Sequence, residues 1–239
     1  MSSTSELEYD YVPTSNSWAA PGSASRTKVE LVPYLRDILV PAADPTNDTT
    51  SRQPVVVLEV ASGFGEHVAY FGQQLPSVVF QPSEAQDECV RGIAHTISST
   101  NLDPRSNVNA PVKLNVLSPA SSWRAALASG NVADPVTVIL AINLLHISPF
   151  ASTQALFDRG SQILPRHGKI ITYGCFKRHD EFAGPGDVAF EKSLRDRDDR
   201  WGIRDLDGQV VPEASRHGFK LVKVYNLNSN NLLVVFEKQ

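Results

Sequence analysis

The run Val55-Val56-Val57-Leu58-Glu59-Val60-Ala61-Ser62-Gly63-Phe64-Gly65-Glu66-His67 constrains the fold of this chain more than any other segment. A short apolar stretch rich in β-branched Val, without polar alternation, describes a strand buried on both faces of a parallel sheet. Gly63 and Gly65 then permit positive φ and let a ligand approach backbone that carries no Cβ. A helix opening at Glu66 would aim its free N–H groups at whatever sits above the turn. A strand–turn–helix without a ligand uses the same residue types, so position has to decide. Here the motif opens an α/β series, and an acid, Glu84, follows the next strand.

Strands are predicted near 55–60, 77–81, 111–116, 136–142 and 168–174, with helices near 66–75, 84–98, 121–129 and 151–164. Such alternation needs right-handed crossovers and gives a parallel sheet covered on both faces. Two late apolar stretches, 219–225 and 231–237, are joined by a few Asn-rich residues, which predicts an antiparallel pair at the sheet edge. The expected fold is therefore α/β and Rossmann-like: a mostly parallel seven-stranded sheet with a C-terminal antiparallel hairpin and helices on both faces. Ahead of it, apolar positions over 28–40 approximate helical spacing, with Pro33 starting or kinking the helix. Residues 41–53 read as a linker. Residues 1–25 read as a flexible or lid-forming tail, in which Tyr9, Tyr11 and Trp18 offer something to bury over a ligand. Residues 26–239 form one domain. Within it, 175–209 read as an insertion above the carboxyl ends of the strands, a substrate cap; the alternative is a surface helix with a disordered shoulder.

A formal net charge of −4 and pI near 5.9 give no general attraction to nucleic-acid backbones. The cluster Arg195, Arg197, Arg200 and Arg204 is interleaved with Asp196, Asp198, Asp199 and Asp205, which describes a salt-bridged surface. Cys89 and Cys175 have no metal-ligand spacing and read as free thiols of a reducing compartment. The start lacks a signal-peptide pattern, and no apolar run reaches membrane-spanning length. These features predict a cytoplasmic protein, monomer or homodimer, with a small-molecule substrate and without metal, nucleic-acid or membrane partners.

Several motifs in order carry a resemblance. They are Ala61-Ser62-Gly63-Phe64-Gly65-Glu66-His67, Phe80-Gln81-Pro82-Ser83-Glu84, Asn143-Leu144-Leu145-His146-Ile147-Ser148-Pro149-Phe150, Tyr173-Gly174-Cys175-Phe176, Ser193-Leu194-Arg195, Trp201-Gly202-Ile203-Arg204-Asp205 and Asn230-Asn231. Over 55–239 the chain resembles the DUF938 (UPF0585), or methyltransferase-like 26, proteins. The pattern E-x-x-x-G-x-G is likewise that of class I S-adenosylmethionine (SAM)-dependent methyltransferases. The resemblance implies that fold and SAM as cofactor, and says little about substrate. The chain departs from the family pattern at Phe64, where a small hydroxyl residue is usual, and at Asn115, where an acid is usual. It also departs at Cys175 for Pro, at Gly186-Asp187 for Ser-Asn (with Phe190-Glu191 following), and at Asn228-Ser229 for Pro-Ala. Changes gathered around an expected pocket point to altered substrate or chemistry on an intact fold.

For the cofactor, the candidates are Glu59, Ala61, Ser62, Gly63, Gly65, His67, Gln81, Glu84, Asn115, Val116 and Asn143. Glu59 would organise the turn and the methionine ammonium, or simply cap the turn. Glu84 would accept from the ribose hydroxyls, with Gln81 as a second contact, although Ser83-Glu84 also looks like a helix start. Asn115 would meet the adenine edge, with Leu117 and Trp123 as slot or core. His67 would support the cofactor carboxylate. Asn143, His146 and Tyr173 are the candidates for chemistry, His146 as base; a structural His bonded to backbone is the alternative. Asn-Leu-Leu-His differs from the Asn-Pro-Pro-Tyr pattern that holds a planar base nitrogen. Trp18, Phe150, Trp201 and Arg204 are candidates for the substrate, Arg204 as a bidentate clamp on a carboxylate or paired with Asp205. The leading activity is SAM-dependent O-methylation of a small metabolite. The alternatives are a methyltransferase-like protein turned to cyclisation or rearrangement, and a non-catalytic SAM-binding partner.

Overall fold

The buried Val-rich run forms β1 (Val55–Val60), with side chains alternating between two apolar layers. The computed structural model describes residues 23–40, 54–100, 107–130, 132 and 135–239. Trp18, the linker 41–53 and most of the expected tail lie outside them. The tail's last residues do not: α1 spans Ser23–Leu39 and passes through Pro33. The ring removes one N–H, which leaves the carbonyl of Val29 without its helical donor; Val29 is exposed, so solvent can serve it.

The other elements follow in alternation: α2 (Glu66–Gln74), β2 (Val78–Glu84), α3 (Asp87–Ser99), β3 (Val112–Lys113), α4 (Ala120–Ser129), β4 (Val138–Ile142), α5 (Phe150–Ile163) and β5 (Lys169–Lys177). After β5 come α6 (Pro185–Arg197), a short β6 (Arg204–Asp205), a π-helical turn (Leu206–Val210), α7 (Val211–Arg216), and the hairpin strands β7 (Phe219–Asn226) and β8 (Asn231–Lys238). The sheet order is β3-β2-β1-β4-β5-β8-β7, with β6 added beside the end of β5. All pairings are parallel except β5–β8 and β7–β8, the antiparallel closure that the sequence predicts.

Three boundaries differ from expectation, each for a specific physical reason. Ser83 and Glu84 do not start a helix; they end β2, held by parallel pairing to Val112 and Lys113. The third strand is far shorter than 111–116, because Asn115 Oδ1 accepts the Leu117 N–H at 2.9 Å and turns the chain off the sheet. The region 175–209 is largely ordered structure: β5 runs on to Lys177, and β6 pairs with it at Phe176 and Lys177. Its charges are paired on the surface, for example Lys192–Asp196 and Arg200–Asp198.

Two apolar layers sandwich the sheet. One packs Leu58, Val60, Ile139, Leu156, Phe157 and Phe236; the other packs Leu35, Val57, Phe71, Phe80, Leu140 and Ile171. Both cysteines are buried and free. Among the described residues no helix is long and apolar enough to cross a membrane. The strand order reverses between β1 and β4. In open α/β sheets that is where a crevice forms at the carboxyl ends of the strands.

Candidate functional site

The turn after β1 is shaped by left-handed backbone at Ala61 (φ 54°), Gly63 (59°) and Gly65 (83°). A Cβ added at Gly65 would press on the Ile93 side chain and backbone at 3.0–3.2 Å, so helix α3 requires glycine there. At Gly63 the same construction meets nothing within 4 Å. Open space lies above it. The turn is tied to β2 from below: the Ser62 N–H donates to Ser83 O at 3.0 Å, and the Gly63 N–H donates to Glu84 Oε2 at 3.1 Å. The other Glu84 oxygen accepts the Ala85 N–H at 2.8 Å. Burial raises the Glu84 pKa, against these two hydrogen bonds.

Glu59 lies beneath the turn, almost fully buried. Its backbone carbonyl accepts from Ser62 Oγ (3.2 Å) and Ser83 Oγ (2.8 Å), while its Oε2 has no partner. Burial pushes its carboxyl up to about 8, helped by the charge of Glu84. His67, in the first turn of α2, has a buried Nε2 without a partner; burial, and then Lys28, hold the ring down at about 4. The departure at Phe64 is accommodated by α3: a Cβ at Gly92 would meet the Phe64 ring at 2.3 Å, so the ring occupies the place of a side chain there.

Across the crevice, Asn143 leaves β4 with φ 58° and donates its N–H to Tyr173 O at 2.8 Å. His146 sits on the short 3-10 turn Leu145–Ile147 and is buried. Its ring meets Phe190 edge-on at 5.5 Å, and Nδ1 and Cε1 pack against Gly174, where a Cβ would come within 3.0 Å of both. Burial first, and Arg204 second, lower its pKa to about 4, so the imidazole is neutral at physiological pH. The Tyr173 hydroxyl meets the Thr27 side chain, and burial raises its pKa.

These groups face one cleft of about 2310 Å³. Of the residues singled out in the sequence, Ala61, Ser62, Gly63, His67, Glu84, Asn115, Val116, Asn143, His146, Tyr173 and Trp201 line it. Others do not. Gln81 is fully buried behind β2, its amide donating to Pro82 O and Ala110 O at 2.9 Å, so no ribose contact arises. Glu59 and Gly65 support the turn from behind. Trp123 belongs to the core. Phe150 turns away, under the Arg204 guanidinium at 5.8 Å. Arg204 cannot clamp a substrate carboxylate and does not pair with Asp205. It is buried and donates to the carbonyls of Leu145 (3.0 Å), Arg200 (3.0 Å) and Ser148. Its work is to hold the turn that carries His146, whose own carbonyl accepts the Gly202 N–H at 3.0 Å.

Sequence reasoning missed Arg26, Thr27 and Glu30, which α1 brings to the cleft wall, because nothing local marks the start of α1 at Ser23. It also assigned no role to Asp187 and Asn230, which line the cleft, although both stand in segments marked as departures.

A family model described as "Protein of unknown function (DUF938)" matches residues 40–238. The chain belongs to the DUF938 family. Among solved structures, this DUF938 protein is similar to an O-methyltransferase family 2 protein from Planctomyces limnophilus in complex with apigenin. That likeness has TM-score 0.65 and 18% identity, over 92% of this chain and 62% of that one. It is also similar to a putative O-methyltransferase from Nostoc punctiforme (TM-score 0.64, 13% identity, 90% and 59% covered). A third is human N-acetylserotonin methyltransferase in complex with SAM (TM-score 0.60, 9% identity, 77% and 47% covered). The DUF938 chain spans roughly half to three-fifths of the length of these proteins. At such identities the likeness is one of fold: a Rossmann-like class I methyltransferase fold.

Proposed function

We propose that this protein is a SAM-dependent methyltransferase acting on a hydroxyl of a small molecule. One observation carries the reading: the open Gly63 turn clamped by Glu84 and the pair Asn143 and His146 face the same cleft from either side of the strand-order reversal. The residues fit the cofactor. After accepting Gly63 and Ala85, the Glu84 carboxylate keeps two acceptor sites, the number that a pair of ribose hydroxyls needs. Gly63 leaves space that a Cβ would fill, and the orphaned His67 Nε2 offers a polar contact to the amino-acid end. Asn115 Oδ1 is engaged by Leu117, which leaves its amide to donate to the adenine edge.

Bound there, SAM would supply an electrophilic methyl group on a positively charged sulfur. The chain's own part is positioning and proton removal. His146 enters the reaction neutral, as a base must, and takes the hydroxyl proton at Nε2, since Nδ1 packs against Gly174. The charge that it gains replaces the one that leaves the sulfur, so the buried site keeps its net charge. Asn143 and Tyr173 orient the acceptor. Helix α6 with Trp201 forms a cap on the substrate side, and the volume exceeds that of one drug-sized ligand, leaving room for cofactor and substrate together. The net charge of −4 gives no general attraction to nucleic-acid backbones, which suits a small-molecule acceptor.

The test is S-adenosylhomocysteine (SAH) release with hydroxylated aromatic and aliphatic acceptors, wild type against His146→Ala. Release that depends on His146 supports the reading. A second reading, cyclisation or rearrangement without methyl transfer, is favoured by Phe64 in the cofactor turn and by the missing carboxylate at Asn115. Product formation without SAH would promote it.

A further inference from the structure

Asp187 is a cleft-lining carboxylate to which the methyl-transfer reading gives no role. It stands in the first turn of α6, is 7% exposed, and lines the cleft. Among the described residues its side chain has one hydrogen bond, a long one of 3.4 Å from Asn230 Nδ2, and no Lys, Arg or His nitrogen pairs with it. Its helix neighbour Glu191 shows the contrast, saturated by Arg195 and by the Ile203 N–H. A buried carboxylate without a cation costs free energy that a charged ligand would recover.

Its surroundings select which ligand. Phe190, three residues on, shares its helix face and lines the same wall, and Trp201 packs beside Phe190 in the small apolar cluster with Cys175 and Leu194. Aromatic faces beside a buried acid suit an ammonium group. A hydroxyl would leave the carboxylate's charge unbalanced. The negative charge of Asp187 also reaches the Cys175 thiol, which burial and that charge push up to about 12.

We propose that Asp187, walled by Phe190 and Trp201, anchors a protonated amine on the substrate, so that the substrate class is a small amine-bearing molecule. The inference rests on reading this cleft as the substrate site, though not on methyl transfer itself. The fold accepts a direct test, because Asp187→Asn keeps the size and shape of the side chain and removes its charge. Calorimetry on the full chain would compare tyramine with its neutral isostere para-propylphenol and with the carboxylate desaminotyrosine, for wild type and Asp187→Asn, at low and high salt. The expected result is a preference for tyramine of about tenfold or more in wild type, abolished in Asp187→Asn and weakened by salt. Equal or absent binding of all three, or a preference that survives Asp187→Asn, overturns the proposal. SAH affinity measured on the same samples separates the two claims: its absence overturns the cofactor reading alone, while the amine comparison stands or falls by itself.

Discussion

Gly63 and Gly65 share a sequence motif but are glycine for different reasons. At Gly65 a side chain would meet Ile93, so Gly65→Arg should damage folding as well as ligand binding, visible as a lowered Tm. At Gly63 only the positive φ resists substitution. Gly63→Ala should therefore cost about 1–2 kcal/mol of stability, the usual penalty for a left-handed L-residue, yet weaken SAM binding by more than tenfold, about 1.4 kcal/mol. Calorimetric SAM titration of the folded variant checks this; unchanged affinity would move the cofactor off the turn. His146 allows a matching test on the opposite wall. His146→Ala should lower turnover by roughly 10²–10⁴ with little change in SAM affinity, measured by SAH release.

Among the elements, the strand β6 and the turn Leu145–Ile147 work as a pair joined by Arg204. Arg204→Met would leave the Leu145, Ser148 and Arg200 carbonyls without that donor in a buried place. The expected loss is about 2–4 kcal/mol, since hydrogen bonds from a charged donor contribute more than neutral ones. Differential scanning calorimetry should show the drop, with SAM affinity retained because Arg204 does not line the cleft; a Tm equal to wild type would count against this role. The elements themselves were legible from the residues wherever a periodic apolar pattern ran long enough. β1, β4, α2, α5 and the terminal hairpin lie close to where the pattern predicts them. Elsewhere contacts that the pattern does not show decided: the Asn115 turn cut β3 to two residues, and pairing with β3 drew Ser83-Glu84 into a strand despite their looking like a helix start.

For the whole molecule, the buried titrating groups set a pH profile of stability. In the folded state His67 and His146 are held at about 4, whereas unfolded they take protons near 6.5. Between those values the unfolded state binds more protons, so the stability they contribute is full above 6.5 and is lost as pH falls toward 4. Glu59 acts in the other sense. It stays protonated in the fold up to about 8 but ionises near 4.5 when unfolded, so stability falls as pH rises through that window. Below 6.5 the two histidines outweigh Glu59, and above it Glu59 prevails. A maximum of Tm near 6.5 is expected, with Glu59→Gln removing the decline on its alkaline side. A Tm that keeps rising to pH 8 in wild type would exclude this assignment. The same burial explains what could be read in advance. Composition and apolar periodicity determined the α/β alternation, the parallel sheet with its antiparallel edge and the glycine turn, because those follow from local sterics and from which residues leave water. Only the tertiary structure decided which polar residues face the cleft. Gln81, Arg204 and Phe150 sit in motifs that look functional, yet they turn inward to satisfy carbonyls and packing partners far along the chain. Asp187, noted in the sequence only as a departure from a family pattern, stands in the first turn of α6 and is brought by that helix to the cleft wall. Side-chain direction at the ends of strands depends on contacts between distant segments, and no local pattern in the sequence encodes those.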